Sequence, residues 1–372
     1  MKITFLPTLI LALFMASCHK DVPQGPPSSV HHATPYKITI PKGFPTLLNI
    51  PADNPMTVEG VELGRYLYYD GRFCGKPDTL MSCATCHQQQ HAFMNGIGYA
   101  HGVTGIQTGH IMLPHVNMVF NSTAYTWFGL VSPQNPDYQI PHGYGGNLED
   151  VVYLVITLTN ECHSDTNACK TAIQNIPIYP PMFKAAFGTE TVTFKNIARA
   201  IAQFVRTLIS ANSKFDKYIR NEVSLTQQEL RGYNIFNTET GDCFHCHGTI
   251  LFTTNGFYNN AKDSVFTDPD DYYSVTHNPL DIGAYKAPTL RNIAITGPYM
   301  HDGRFTTLDQ VIDFYSSGLV NSPYVSPMML KIGTGGAQLV PSQKADLKAF
   351  LYTLTDSTFI TNPSFSKPAG LP

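Results

Sequence analysis

The pentapeptides Cys83-Ala84-Thr85-Cys86-His87 and Cys243-Phe244-His245-Cys246-His247 both follow the pattern C-x-x-C-H, the attachment signature of c-type haem. Its two thiols bond to the two vinyl groups of the porphyrin, and the adjoining imidazole binds the iron. A redox C-x-x-C pair or half of a zinc site explains the thiols but not a His repeated at the same offset. The sequence therefore predicts two covalently attached haems c. Their predicted binding residues are Cys83, Cys86, His87, Cys243, Cys246 and His247.

Composition narrows the class of protein. Of the 372 residues, 43% are hydrophobic and 14% are charged, which is typical of a chain that buries a large core. A formal net charge of −3 without a block of Lys and Arg argues against nucleic acid as a partner. The length allows two domains.

The N-terminus has the pattern of an export signal. Met1-Lys2 precedes an apolar run, residues 3–16, that is too short to span a membrane. Met15-Ala16-Ser17-Cys18 resembles a bacterial lipobox, in which the Cys becomes lipidated; the alternative is an ordinary signal peptide with an incidental Cys. We expect a signal peptide over 1–17 and a Pro-rich tether over 18–40. The protein would then face the periplasm, or lie at the outer membrane, with its N-terminal lipid as the only membrane contact.

Helical spacing is much more frequent than strand-like alternation. One helical face is predicted to carry Ile197, Ile201, Phe204, Val205 and Leu208. Capping-box patterns predict helix starts at Thr226 and Thr307, and Ser342 is predicted to cap the last helix. We therefore predict a mainly α fold with two cytochrome c-like domains, 41–215 and 216–372, each carrying one haem.

The other cysteines suggest a disulfide. Cys162 and Cys169 lie close together in a polar stretch, and an oxidising compartment would favour their pairing. This interpretation leaves Cys74 without an assigned role.

Several further segments form a specific pattern when taken together. They are Leu63-Gly64-Arg65-Tyr66-Leu67-Tyr68-Tyr69-Asp70, His91-Ala92-Phe93, residues 196–201, residues 206–210, Phe215-Asp216, residues 287–292 and residues 297–305. On these residues the chain resembles the bacterial dihaem cytochrome c peroxidase/MauG family over roughly residues 58–355. The resemblance implies that the first haem reacts with peroxide, with His87 as its proximal ligand, and that the second haem transfers electrons. An open iron suits peroxide, whereas a six-coordinate iron suits electron transfer.

The resemblance also proposes a second axial ligand for the electron-transfer haem. Peroxidases of the family place a Met, and the MauG branch a Tyr, at the position that Tyr315 occupies when counted from His301. Met300 is the alternative ligand, and Tyr315 as a plain core residue is the third interpretation. Trp127, the single Trp, lies in a segment resembling the family's F-W-D-G, whose Trp lies between the haems. It is therefore a candidate electron relay as well as a candidate core residue.

Two parts of the family pattern are altered. The Asn that helps to hold a bridging calcium is absent from Ile111-Met112-Leu113-Pro114-His115, so calcium is doubtful. The distal Glu that moves the peroxide proton is replaced by Gly143 in the stretch 140–144. His142, Glu149 and His101 are the candidate substitutes.

Three functions are compatible with these sequence features. The first is a peroxidase that reduces hydrogen peroxide to water with electrons from a small cytochrome c or cupredoxin. The second is a MauG-like oxidase that uses peroxide to oxidise side chains of a partner protein. The third is a dihaem electron carrier without peroxide chemistry, which the missing Glu would suit.

Overall fold

The structure is a computed structural model that describes residues 31–74, 80–133, 135 and 145–372. Residues from Ala33 to Pro372 form one compact unit. The predicted signal peptide, Cys18 and His142 lie outside the described residues. No helix of the described part is long and apolar enough to cross a membrane.

The fold is mainly helical, as predicted, with a single two-stranded antiparallel sheet among the described residues. The α-helices described are α1 Val58–Tyr69, α2 Cys83–Cys86, α3 Leu148–Thr157, α4 Thr166–Gln174, α5 Tyr179–Phe187, α6 Phe194–Arg206, α7 Lys214–Ile219, α8 Gln227–Phe236, α9 Phe244–His247, α10 Tyr273–Thr276, α11 Leu308–Ser317, α12 Pro341–Tyr352 and α13 Ser357–Thr361. The strands are β1 Phe257–Tyr258 and β2 Tyr285–Lys286. Single 3₁₀ turns lie at Gly71–Cys74, Gln89–His91, Met118–Phe120, Pro279–Asp281, Ile293–Ile295, Ile332–Thr334 and Pro363–Phe365.

Local capping chemistry sets several helix starts. The Thr226 and Thr307 hydroxyls each accept a hydrogen bond from the backbone N–H three residues on, which confirms both predicted capping boxes. The predicted cap at Ser342 is wrong, because α12 already begins at Pro341. The fixed φ of proline suits the first helical position, so the helix starts two residues earlier than a cap at Ser342 would place it.

Each half of the chain has a pair of helices that cross at a glycine. A Cβ on Gly64 of α1 would lie 1.9 Å from the Ala200 carbonyl oxygen of α6, and a Cβ on Gly232 of α8 would lie 1.9 Å from the Asp346 carbonyl oxygen of α12. Since no side chain fits in either crossing, glycine allows the backbones to meet. The first pair belongs to an apolar cluster of buried residues between 63 and 208, and the second to a cluster between 215 and 354. The boundary at 215/216 itself stays a prediction.

Two terminal segments pack differently from their predicted assignment. The Tyr36 N–H donates to the Met56 carbonyl, and Ile38 is buried with Phe120, so these residues of the predicted tether belong to the compact unit. At the other end, Phe359 of α13 packs edge-on against Phe93 of the first cluster. The C-terminal tail therefore returns to the first haem motif.

The disulfide joins Cys74 to Cys162, and the predicted pair Cys162–Cys169 is wrong. The turn Gly71–Cys74 at the end of α1 carries Cys74 against the loop after α3. Cys169 instead lies inside α4 and faces the apolar core. Sequence proximity was a poor guide because the partner comes from a segment 88 residues away.

Candidate functional site

The first C-x-x-C-H motif forms the short helix α2 and presents a neutral imidazole. His87 follows the helix, and its Nδ1 lies 2.9 Å from the Phe93 carbonyl oxygen. Because a carbonyl only accepts, Nδ1 carries the proton and Nε2 keeps the lone pair that a metal needs. Burial lowers the pKa of His87 to about 4, which favours this neutral form.

The second motif repeats this arrangement. Nδ1 of His247, at the end of α9, donates to the Phe252 carbonyl oxygen at 3.0 Å, and burial again lowers the imidazole pKa to about 4. Phe93 and Phe252 have φ of 59° and 52°, a left-handed conformation that is rare for a bulky residue. Both turns thus adopt a strained backbone conformation and aim a carbonyl at the predicted iron ligand.

The thiols of both motifs are suited to covalent attachment. Burial raises the pKa of Cys83, Cys86, Cys243 and Cys246 to about 12 in each case. Zinc sites and reactive C-x-x-C pairs depend on thiolates, which these surroundings disfavour. Two thiols and one neutral imidazole nitrogen per motif are the donor set that haem c requires, so the residues present fit that group.

The second motif opens into a large apolar cavity that contains both predicted axial ligands. Cys243, Cys246, His247, Met300 and Tyr315 all line it. The Asn260 Nδ2 lies 3.2 Å from the Tyr315 hydroxyl and 3.5 Å from the Met300 sulfur. The cavity wall also holds Leu308, Val311 and Ile312, so the inward face predicted for α11 is confirmed. Burial raises the pKa of the Tyr315 hydroxyl above its ordinary value.

Trp127 forms part of the same cavity wall. Its indole N–H donates to the Ile111 carbonyl at 2.7 Å, and its own carbonyl accepts from the Lys286 N–H at 2.7 Å. The first bond orients the indole ring and the second holds the backbone of this residue; the role of Trp127 as an electron relay stays a prediction.

The segment Ile111-Met112-Leu113-Pro114-His115 connects the two motifs. Its first four residues line the second cavity, whereas the ring of His115 stacks on His87 at 3.7 Å. The Tyr68 hydroxyl lies 3.2 Å from His115 Nδ1 and donates to the His87 carbonyl. The sequence did not predict that His115 contacts His87. His115 does lie in the segment that lacks the family's calcium-binding Asn.

Glu161 is the second functional candidate that sequence reasoning missed. It lies just before Cys162 of the disulfide, and the Val103 N–H donates to its carbonyl at 2.9 Å. Burial raises the pKa of its carboxyl to about 7, and its charge raises the pKa of Cys83 and of Cys86. No hydrogen bond engages this carboxyl among the described residues. Glu161 is the single acidic residue between Asp150 and Asp165, and this isolation was the available sequence signal.

Of the three acid–base candidates from the sequence, the structure describes Glu149 and His101. Glu149 is buried. Its carboxylate accepts hydrogen bonds from the Arg206 guanidinium at 2.8 and 2.9 Å and from the Asn54 amide at 2.6 Å, and these bonds give it a role in holding the fold together. His101 has an exposed side chain. His142 lies outside the described residues, so its role as an acid–base group stays a prediction.

Lys286 is a third residue that sequence reasoning missed. Its ammonium is buried beside Trp127, donates to the Ala124 carbonyl at 3.0 Å and lies 5.5 Å from the centre of the Phe257 ring. Burial lowers the pKa of this side chain to about 7.

Two C-x-x-C-H motifs on a mainly helical fold, each with a neutral imidazole beside two protonated thiols, define the class of dihaem c-type cytochromes. Comparisons with known proteins specify the family. Residues 58–224 match the family model of di-haem cytochrome c peroxidases. The chain is 30% identical to the methylamine utilization protein MauG of Methylorubrum extorquens, over 82% of this chain and 80% of that protein.

Two further relatives agree. The cytochrome c551 peroxidase of Nitrosomonas europaea is 31% identical over 71% of this chain and 75% of its own length. The crystal structure of a MauG-like protein associated with microbial copper homeostasis superposes with a TM-score of 0.79 at 31% identity, covering 90% of this chain and 99% of that one. The chain belongs to the dihaem cytochrome c peroxidase/MauG family. This confirms the predicted family and fold class, and the protein is a peroxide-dependent oxidoreductase.

Proposed function

We propose that the protein reduces hydrogen peroxide to water at the first motif, taking two electrons and two protons per peroxide, with electrons entering by the second motif. The observation that carries this proposal is the desolvated carboxyl of Glu161 beside Cys83 and Cys86. Haem bound there would supply an iron that accepts the oxidising equivalents of peroxide. The chain must supply the proton movement.

Glu161 is suited to that movement. A catalytic acid–base group works best when its pKa lies near the working pH, and burial brings the Glu161 pKa to about 7. We assign it the transfer of the peroxide proton from the near oxygen to the departing one, the role predicted for His142, Glu149 or His101. His87 Nε2 is the proposed iron ligand, with its orientation fixed by the Phe93 carbonyl.

The peroxidase proposal is tested with Glu161→Gln in the protein carrying both haems. We expect peroxide turnover with an artificial electron donor to fall about 10²–10⁴-fold, because the amide keeps the shape of the carboxyl but cannot accept the proton. The matched control is Glu190→Gln, since Glu190 lies on the surface beside Lys184. Undiminished turnover in Glu161→Gln would contradict the assignment.

A MauG-like oxidase is the second candidate, and Tyr315 favours it. An anionic oxygen ligand stabilises oxidised iron, and the Asn260 amide is placed to donate to that oxygen. Two oxidising equivalents could then be shared across Trp127 and passed to a partner protein. We expect Tyr315→Phe to change the visible spectrum of one haem only and Met300→Leu to change little. The reverse result would identify Met300 as the ligand and remove this support.

We infer an extracytoplasmic location, with a lipid on Cys18 as the membrane attachment. The apolar run 3–16 followed by Ser17-Cys18 supports this inference, as does haem c, which is attached outside the cytoplasm. The electron donor would be a small cytochrome c or cupredoxin. If Cys18→Ser leaves the amount of protein in the membrane fraction unchanged, the lipid attachment is refuted.

A further inference from the structure

Tyr285 lies in the wall of the second cavity and is linked through the His301 ring to Trp127, the candidate electron relay. Its ring stacks on His301 with centroids 3.5 Å apart and an interplanar angle of 15°. The His301 ring also contacts Trp127 edge-on, at 6.4 Å between centroids. The three rings form a continuous path, and all three line the cavity that holds His247.

The Tyr285 hydroxyl is directed away from this path, towards a carboxylate. It donates to Asp268 Oδ2 at 2.9 Å, and the same oxygen accepts from His110 Nε2 at 2.8 Å. The Asp268 side chain is 31% exposed, whereas that of His110 is buried. The cluster therefore extends from the cavity wall to the protein surface.

Asp268 is a carboxylate at neutral pH. Burial opposes its ionisation, but hydrogen bonds from His110, the Asp270 backbone and Tyr285 outweigh burial and hold the pKa of this carboxyl well below its ordinary value. A phenol that loses an electron becomes a strong acid, so its oxidation is eased by a base within hydrogen-bond distance. Tyr285 has such a base.

Tyr299 provides an internal contrast. It lines the same cavity, but its hydroxyl donates to the Ile293 carbonyl at 2.9 Å. A backbone carbonyl accepts a hydrogen bond without taking up the proton at neutral pH. Tyr285 and Tyr299 thus share a cavity and differ in whether a proton acceptor is present.

We propose that Tyr285, Asp268 and His110 form a proton-coupled electron relay that connects Trp127 with the surface at Asp268, where a one-electron donor reacts. This relay rests on the proposed peroxide chemistry, which supplies the oxidant. In the first step Tyr285 gives one electron to the radical cation of Trp127, which has kept its indole proton, and gives its phenolic proton to Asp268 Oδ2. The products are reduced Trp127, a neutral tyrosyl radical and a protonated Asp268, with His110 retaining its hydrogen bond to the carboxyl group.

The second step restores the cluster. The donor at the surface gives one electron to the Tyr285 radical, and the proton returns from Asp268 to the phenolic oxygen. Two such cycles deliver two electrons, the number that one hydrogen peroxide consumes, so the relay is a second entry route beside the one at the second motif. His301 serves only as the aromatic bridge between Trp127 and Tyr285 and exchanges no proton.

The experiment uses the protein with both haems, mixed with hydrogen peroxide without a donor and frozen for electron paramagnetic resonance. We expect a tyrosyl signal that narrows when the protein is made with ring-deuterated tyrosine. Tyr285→Phe should lose this signal, because it keeps the stacked ring but has no hydroxyl. Asp268→Asn should lose most of it, because the amide accepts a hydrogen bond but no proton.

Tyr299→Phe is the matched control and should keep the signal. Unchanged visible spectra of both resting haems in each variant would show that the haem sites are intact. A tyrosyl signal that persists in Tyr285→Phe overturns the relay, as does a wild-type protein whose haem absorption responds to peroxide without any tyrosyl signal. If the wild-type haem absorption does not respond to peroxide, the proposed function fails and the relay fails with it.

Discussion

At the scale of single residues, the surroundings of Glu161 give its carboxyl the pKa that the proposed proton transfer requires. Glutamate in water has a pKa of about 4.3 and would be fully ionised near neutrality. Burial raises the Glu161 pKa to about 7, so both protonation states are accessible in one reaction cycle. The loop at Val103 and the disulfide at Cys162 hold its backbone on both sides.

This pKa predicts a pH dependence of the peroxide reaction. Glu161 must be a carboxylate to take the peroxide proton, so we expect kcat/KM for peroxide to fall as the pH decreases through about 7. Rates measured between about pH 5 and pH 9 with the wild type and with Glu161→Gln test this. The variant should be slow and flat in this range. A wild-type profile without an inflection near neutrality would contradict the assignment.

The buried ammonium of Lys286 is expected to affect the stability of the fold. Its folded-state pKa of about 7 lies below the value of about 10.4 in an unfolded chain. Between these two pH values the unfolded chain binds a proton at Lys286 that the folded chain lacks, so the free energy of unfolding increases as the pH rises. The destabilisation caused by burying Lys286 is therefore largest below about pH 7 and decreases towards about pH 10. Replacing Lys286 with Met should therefore raise the free energy of unfolding, by about 1 kcal/mol or more near pH 7.

The Lys286→Met substitution leaves no unsatisfied acceptor, because the Ala124 carbonyl also accepts from the Asn121 amide. Thermal unfolding followed by circular dichroism measures the gain, which should shrink towards pH 10. Lys184→Met, on the surface, is the control and should change little. A loss of stability in Lys286→Met at neutral pH would show that the ammonium is needed in the fold.

At the scale of elements, a buried ion pair secures each half of the chain. Arg206 at the end of α6 holds Glu149 of α3, and Arg291 holds Asp216 of α7 with two bonds of 2.9 Å. The Arg291 guanidinium also donates to the Ile250 carbonyl, three residues beyond His247. This pair therefore fixes the turn that carries the Phe252 carbonyl.

Removing one partner of this pair is expected to be severe. Arg291→Met leaves the Asp216 carboxylate buried without its partner, which destabilises proteins by about 3–5 kcal/mol. Lys184, paired with Glu190 at the surface, offers the control, since Lys184→Met should change stability by less than about 1 kcal/mol. Guanidinium unfolding of both variants measures the difference. Equal losses would refute the distinction between the buried and the exposed pair.

The elements also show what the sequence could and could not predict. The capping boxes at Thr226 and Thr307 were predictable, because the residues that form a capping box all lie within four positions of the sequence. The pairing of Cys74 with Cys162 was not, because it depends on how α1 and α3 pack. Glu161 was missed for the same reason: its pKa comes from burial, and a sequence pattern does not encode burial by distant segments.

At the scale of the whole molecule, one segment and one aromatic side chain connect the surroundings of the two motifs. Trp127 and the segment from Ile111 to His115 join the second cavity to the stacked ring of His87. The motifs themselves were fully predictable, since C-x-x-C-H is local. The route between them required the fold, because residues 111–115 and Trp127 reach the motifs through contacts that are distant in sequence.

This arrangement predicts the covalent state of the mature protein. Four protonated thiols and two neutral imidazoles match two haems c, so the intact mass should exceed that of the polypeptide by two haem groups. Acid–acetone extraction should leave both haems on the chain, because thioether bonds survive acid while a coordinate bond to His does not. The variant Cys83→Ala/Cys86→Ala should carry one haem group, on the second motif, and Cys169→Ala, which changes a buried thiol outside both motifs, should still carry two. Extraction of haem from the wild-type protein would show that the motifs hold it without covalent bonds.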